Sequence, residues 1–243
     1  MQENKFDLII PIYNEGKNLI VLFQHLKKTI KTDYNIFLCY DNDDDNVFEY
    51  LDDLKKINDQ FYLIKNKFKG PCGAVKSGLY ESTNTNCKIV YPADDFLNGY
   101  IIDQMYNKYL QGFDIVAPSR FMKGGSMKNC PLLKAILVRL ASFTLYKFSS
   151  IPIEDASNGF RLFSKKLLND VKIESDIGFA YSLELLVKAE RMKLNISQIP
   201  SRWEERSKGK SRFKIVKWLK QYLVWYFYGL KTSWLRHKKI NLK

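Results

Sequence analysis

The chain has 243 residues, 46% hydrophobic and 27% charged, enough for one sizeable domain or two small ones and too apolar for global disorder. The formal net charge is +13, yet Ser201 to Lys243 carries 13 Lys or Arg against 2 Glu, so the other 200 residues hold only +2. The main body is therefore nearly neutral, and the basic tail suits anionic lipid, nucleic acid or phosphorylated small molecules.

Strand and helix signals alternate through the first half. A continuous apolar run at 6–12 predicts a strand covered on both faces. A helix is predicted over 15–32, with Leu19, Leu22, Phe23 and Leu26 on one side. Strands follow at 35–40 and 61–65 around a helix at 48–57. A helix over 74–81 comes just after a Gly-rich turn, and further strands are predicted at 88–91 and 113–118. This order means right-handed crossovers and an α/β, mostly parallel sheet. The second half reads as long helices at 132–148 and 179–192, a short strand at 196–199, and a tail helix from 213. The tail stripe Ile215, Leu219, Tyr222, Tyr226 and Leu230 faces away from Lys214, Lys217 and Lys231. The division expected is 1–212 as the main domain and 213–243 as a basic, aromatic amphipathic helix.

Ligands on such sheets bind beyond the carboxyl ends of the strands. Those ends read Tyr13-Asn14-Glu15, Asp41-Asn42-Asp43, Asp94-Asp95 and Ser119-Arg120. Pro11-Ile-Tyr-Asn-Glu15 is either a plain strand-to-helix turn or the wall of a nucleotide pocket. The run Asp41 to Asn46 fits a solvated Asx turn or a nucleoside contact through Asp41. A calcium loop is disfavoured, because Asn46 and Asp52 stand where Gly and Glu belong. Gly70-Pro-Cys-Gly73 opens a helix and offers backbone N–H groups to an anion. Pro92-Ala-Asp94-Asp95 is the strongest site. Adjacent carboxylates need a cation or donors to stay ionised, and Mg2+ or Mn2+ binds through a few carboxylates plus diphosphate oxygens. Its plain alternative is a charge pair at a helix start.

Four cysteines, Cys39, Cys72, Cys87 and Cys130, form no C-x-x-C pair, and His25 and His237 are the only histidines, so a zinc site is not expected. The opening MQENKFDLII has no secretion pattern, which predicts reduced thiols in the cytoplasm. No run reaches the roughly 18–20 apolar residues that span a bilayer. The protein is expected to lie peripherally on the inner face of the membrane.

Taken in order, IIPIYNEGKNL, YDNDDDN, GPCGAVKSGL, VYPADD, the APSRF block with its Gly-Gly, DASNGFRLFSK and the late P-x-x-W-E-E-R-x-x-G-K-S-R resemble the blocks of dolichol-phosphate mannosyltransferases and related family 2 glycosyltransferases. The match runs from about residue 6 to 213. The resemblance implies a GT-A fold (the Rossmann-like fold of nucleotide-diphospho-sugar transferases), a divalent metal and inverting transfer from a nucleotide-diphospho-sugar, often to a polyprenyl phosphate. It implies that Pro11, Tyr13, Glu15 and Asp41 hold the nucleoside, with Gly73 and Lys76 also on the donor side. Asp94 falls on the second Asp of the family's metal motif. Asp95 stands in for the first, which is Pro92 here. Arg120, Arg139, Arg206 and Arg212 would bind phosphates, with Arg161 and Ser211 in the same substrate set. Cys72 in the glycine turn and the Asp-rich run are further departures, and they bear on which donor is bound.

A lipid phosphate acceptor is already ionised and needs no base, whereas a sugar hydroxyl needs a carboxylate to take its proton. Asp155 and Glu184 are the candidates for that base, and each also fits a structural pairing with Arg161. Trp218, Tyr222, Trp225, Tyr226, Phe227 and Tyr228 beside lysines read as an interfacial anchor on an anionic membrane surface, or as a face packing on the domain, on a homo-oligomer or on a membrane-protein partner. Competing functions are transfer to a sugar hydroxyl of a cell-surface glycan, and a non-catalytic nucleotide- or nucleic-acid-binding module. No nucleic acid is expected, since no RNA- or DNA-binding signature is present.

Overall fold

A computed structural model describes residues 5–82, 85–204 and 215–234 of the chain. The elements in order are β1 (Phe6–Pro11), α1 (Gly16–Thr29), β2 (Tyr34–Tyr40), α2 (Leu51–Ile57), β3 (Phe61–Lys65), α3 (Gly70–Glu81), β4 (Cys87–Val90), α4 (Ile102–Leu110), β5 (Ile115–Ser119), β6 (Ser126–Lys128), α5 (Leu132–Phe148), β7 (Arg161–Ser164), α6 (Lys165–Asp170), α7 (Ala180–Arg191), β8 (Ile196–Pro200), β9 (Arg202–Glu204) and α8 (Ile215–Trp234). Seven strands form one sheet in the order β3-β2-β1-β4-β7-β5-β8, and β6 pairs with β9 in a separate ribbon. Every pairing in the large sheet is parallel except those of β7, which runs antiparallel to β4 and β5.

The core is three layers deep because β1 is buried on both faces. Leu8 and Ile10 pack with Leu19, Leu22, Phe23 and Leu26 of α1. Ile9, on the opposite face, packs with Val75 and Leu79 of α3 and with Leu185 of α7. Helix α3 approaches the sheet closely at Gly78, where a Cβ would sit 2.3 Å from Ile9 Cγ2 and 2.6 Å from Cys39 Sγ. At the β1-to-α1 turn, Asn14 takes φ +53, a left-handed conformation that asparagine tolerates better than most residues.

Several elements differ from the sequence expectation. The Gly70–Gly73 stretch is the first turn of α3 rather than a loop before it. Gly70 turns the chain at φ +68, and Pro71 suits a helix start. The segment 46–57 splits into a 3-10 turn and α2. β7 and the β6–β9 ribbon carry no periodic signal, being only 4 and 3 residues long.

The tail helix docks on the domain. Trp225 is 7% exposed and its Nε1 donates to Ser175 Oγ at 2.8 Å. Tyr226 shares a 2.8 Å hydroxyl contact with Thr144 of α5. The face expected as an anchor is thus divided: Trp225 packs inward, while Leu219, Leu223, Val224 and Phe227 stay exposed. Helix α5 is barely covered, with Ser142 and Leu145 its only buried residues. Leu132, Leu133, Ile136, Leu137, Leu140 and Phe143 are all more than 40% exposed. No described helix is long and apolar enough to cross a membrane.

Candidate active site at the strand ends

The carboxyl ends of β1, β2, β3 and β4 lie along one edge of the sheet, since these strands run parallel. Two loops there are zipped together. The Asn14 N–H donates to Asp45 Oδ2 at 2.9 Å, the Asn46 N–H to Asn14 Oδ1 at 3.3 Å, and the Gly16 N–H to Asn46 Oδ1 at 2.8 Å. This brings Tyr13, which is 48% exposed, to a small cleft lined also by Asn14, Asn42, Asp44 and Asp45. Half-buried Pro11 ends β1 beneath it, and Glu15 accepts from Asn18 Nδ2 at 2.8 Å at the start of α1.

The acidic run is dispersed among separate partners. Asp41 accepts from Asn66 Nδ2 at 2.5 Å, Asp43 pairs with Lys65, and buried Asp45 caps the Val47 N–H at 2.9 Å. Among the described residues no group of three or more His, Cys, Asp or Glu converges on a metal-sized point. Asn66 was not singled out in the sequence. It links Asp41 to the α3 turn, donating also to the Gly70 carbonyl at 3.1 Å while its Oδ1 accepts from the Phe68 N–H at 2.9 Å.

At the glycine turn, Gly73 is buried, and a Cβ there would lie 2.7 Å from Phe68 Cβ. Packing therefore explains that glycine. The Lys76 ammonium is engaged with the Ser175 carbonyl at 3.2 Å and sits 4.7 Å over the Phe68 ring.

The two carboxylates after β4 have different surroundings. Asp94 is exposed. Asp95 is half-buried: its Oδ1 accepts from the Leu97 and Asn98 N–H groups at 2.8 and 3.0 Å, and its Oδ2 from Asn98 Nδ2 at 2.7 Å. Burial raises the Asp95 carboxyl above its ordinary range, against those bonds and with a smaller push from Asp94. Asp95, expected as a metal ligand and catalytic residue, thus serves here to hold the turn. Asp94 with diphosphate oxygens still fits Mg2+ or Mn2+, which commonly takes only one or two protein carboxylates.

Asp155 was expected as a catalytic base, and the structure corrects this. It is 0% exposed and clamps Arg120, accepting from the Arg120 N–H at 3.0 Å, Nε at 2.7 Å and Nη2 at 2.9 Å. Burial alone would push this carboxyl up, but the Arg120 charge and hydrogen bonds outweigh it and hold the group below its usual value. Arg120 also donates to Ser157 Oγ at 2.7 Å, so the guanidinium read as a phosphate grip is spent internally.

Arg161, read as substrate-binding, is fully buried. It donates to the Ser182 carbonyl at 2.5 Å and to the Asp155 and Ala156 carbonyls at 3.2 and 3.1 Å. Burial pushes its guanidinium down to about 10. Glu184 pairs with Lys188 Nζ at 2.6 Å rather than with Arg161, and also accepts from the Glu174 and Ser175 N–H groups. Arg139 is exposed on α5, 4.9 Å from the Phe121 ring. Arg206, Ser211 and Arg212 lie outside the described residues.

The mostly parallel sheet, with a small polar cleft and an exposed aspartate at its strand ends, has the GT-A architecture of α/β folds. Solved structures of glucosyl-3-phosphoglycerate synthase from Mycobacterium tuberculosis share the fold. One, with Mn2+, UDP and glucosyl-3-phosphoglycerate, matches at TM-score 0.67 and 9% identity over 94% of this chain and 80% of that one. Another, with Mg2+ and UDP, gives 0.68 and 11% over the same shares. The model of glycosyl transferase family 2 matches residues 7–172, and the chain belongs to that family. It is 26% identical over 91% of its length to a dolichol-phosphate mannosyltransferase of Pyrococcus furiosus, and 27% identical over 70% to the glycosyltransferase-named CsbB of Bacillus subtilis. The matches cover 64% and 51% of those two relatives.

Proposed function

We propose that the chain transfers a sugar from a nucleotide-diphospho-sugar to a polyprenyl phosphate at an anionic membrane surface. Family membership supports the donor half. The acceptor half is carried by one observation, the exposed apolar surface of α5 and α8. Leu132, Leu133, Ile136, Leu137, Leu140 and Phe143 of one helix are all exposed, and large exposed apolar patches mark interaction sites. Helix α5 adds Lys134, Arg139 and Lys147, helix α8 adds Lys220 and Lys231, and neither helix contains an acidic residue. A second copy docked on this face would set like charges together, whereas anionic headgroups neutralise them, at roughly 1 kcal/mol per basic residue. Apolar side chains with lysines beside them suit the headgroup boundary.

In the reaction, Tyr13 flanks the base and Asp41, oriented by Asn66, meets the nucleoside. Asp94 would hold Mg2+ or Mn2+, which when bound offsets charge on the leaving diphosphate. A phosphate acceptor is ionised near neutral pH and attacks without a base. That suits a site in which Asp155 and Glu184, the two carboxylates considered for proton abstraction, are both buried in ion pairs.

Two measurements test the reading. In a thermal-shift panel of UDP, GDP, CDP and dTDP with and without Mn2+, one nucleotide should raise the unfolding temperature only with metal. No shift with any of them sinks the donor half. In flotation with vesicles of phosphatidylglycerol and phosphatidylcholine, the protein should float, and Ile136→Glu with Leu140→Glu should stay at the bottom without a lower Tm. Equal flotation of that variant would remove α5 from the membrane contact.

A further inference from the structure

The turn that follows β4 is tied to a distant strand through one side chain. Asn98 is 2% exposed. Its Nδ2 donates to Asp95 Oδ2 at 2.7 Å and to the Arg202 carbonyl at 2.7 Å, while its Oδ1 accepts from the Arg202 N–H at 2.9 Å. The carboxamide thus exchanges two hydrogen bonds with the Arg202 backbone, as a neighbouring strand would. The two residues are 104 positions apart. Asp95 is held from the other side as well, since the hydroxyl of buried Tyr91 donates to its carbonyl at 2.7 Å. β9 in turn lies against β6, and the Ser201 N–H donates to the Ser119 carbonyl at the end of β5 at 2.9 Å. Asn98 is where the β4 turn, the β5 end and the β6–β9 ribbon meet.

We propose that Asn98 is a positioning residue for sugar transfer: it locks the turn bearing Asp94 against β9 and keeps the Asp95 carboxylate within that turn, so that Asp94 is the carboxylate presented to a metal-bound diphosphate. The inference rests on the donor site proposed above. With Pro92 in the position of a first metal carboxylate, one exposed aspartate must be held in place by its surroundings, and small displacements of such groups are costly. Asp95 and Asn98 share the lock: Asn98 needs the Asp95 carboxylate as acceptor, and Asp95 needs the Asn98 amide to remain buried.

The test is calorimetric titration of the full chain with Mn2+ and the nucleoside diphosphate that stabilises the wild type, alongside thermal unfolding. Asn98→Ala is expected to weaken metal-dependent nucleotide binding about tenfold, the scale of losing an outer-shell partner. Asp95→Ala should weaken it similarly. The double variant should be no worse than either single one, because both break the same lock. Wild-type affinity in Asn98→Ala, or a lower unfolding temperature with unchanged affinity, overturns the proposal. Losses that multiply in the double variant also overturn it, since Asp95 would then act on the metal independently. A wild type that binds no nucleoside diphosphate with Mn2+ overturns the donor site itself, and the positioning role with it.

Discussion

Replacing Asp155 with alanine is expected to destabilise the protein by roughly 3–5 kcal/mol, the cost of leaving a buried charge without its partner. The carboxylate is wholly buried, and the Arg120 side chain facing it is only 11% exposed. Three hydrogen bonds from Arg120 and one from Ser157 Oγ at 3.1 Å converge on it. Removing the carboxylate strands the Arg120 guanidinium at the end of β5, where water cannot resolvate it. Urea unfolding of wild type and variant measures the effect, and an unchanged midpoint would refute it. The pH dependence has a definite sign. The folded-state Asp155 carboxyl lies below its ordinary value. The stability it contributes is therefore fully present above the unfolded carboxyl's pKa of about 3.9 and is lost as pH falls through the folded one. Were Asp155 a base instead, its replacement would remove activity at nearly constant stability.

Asp94→Ala should show that opposite pattern. Asp94 is exposed, and surface substitutions usually change stability by about 0.5 kcal/mol or less. The turnover number should nevertheless fall roughly 10²–10³-fold, the range for removing one preorganised electrostatic contact with developing charge. The Mn2+-dependent thermal shift should disappear with it. Steady-state assays with the donor identified by the nucleotide panel measure the first effect. Activity within twofold of wild type would exclude Asp94 from the donor site. The contrast with Asp155 separates an aspartate that meets the substrate from one that holds the scaffold.

The alternation of strands and helices and the mostly parallel character of the sheet were legible in the sequence, which also pointed to the strand ends as the place to look for a site. These follow from local patterns: apolar runs such as 6–12, the Leu19-Leu22-Phe23-Leu26 stripe, and polar clusters where each strand stops. The surroundings of each candidate residue were set only by the tertiary structure. Asp94 and Asp95 are neighbours of the same type, yet one is exposed and the other is bound into a turn by Asn98. Arg120 and Arg139 read as phosphate ligands and Arg161 as part of the substrate set, but Arg120 meets Asp155 across 35 positions, Arg161 is enclosed by backbone carbonyls, and of the three only Arg139 is exposed. Likewise, 132–148 reads simply as a long helix, and only the packing shows that its apolar residues are left uncovered. Residue type states what a side chain can bind. Whether that capacity faces substrate, solvent or core also depends on partners from distant parts of the chain, 35 residues away for Arg120 and 104 for Asn98, which no local spacing encodes.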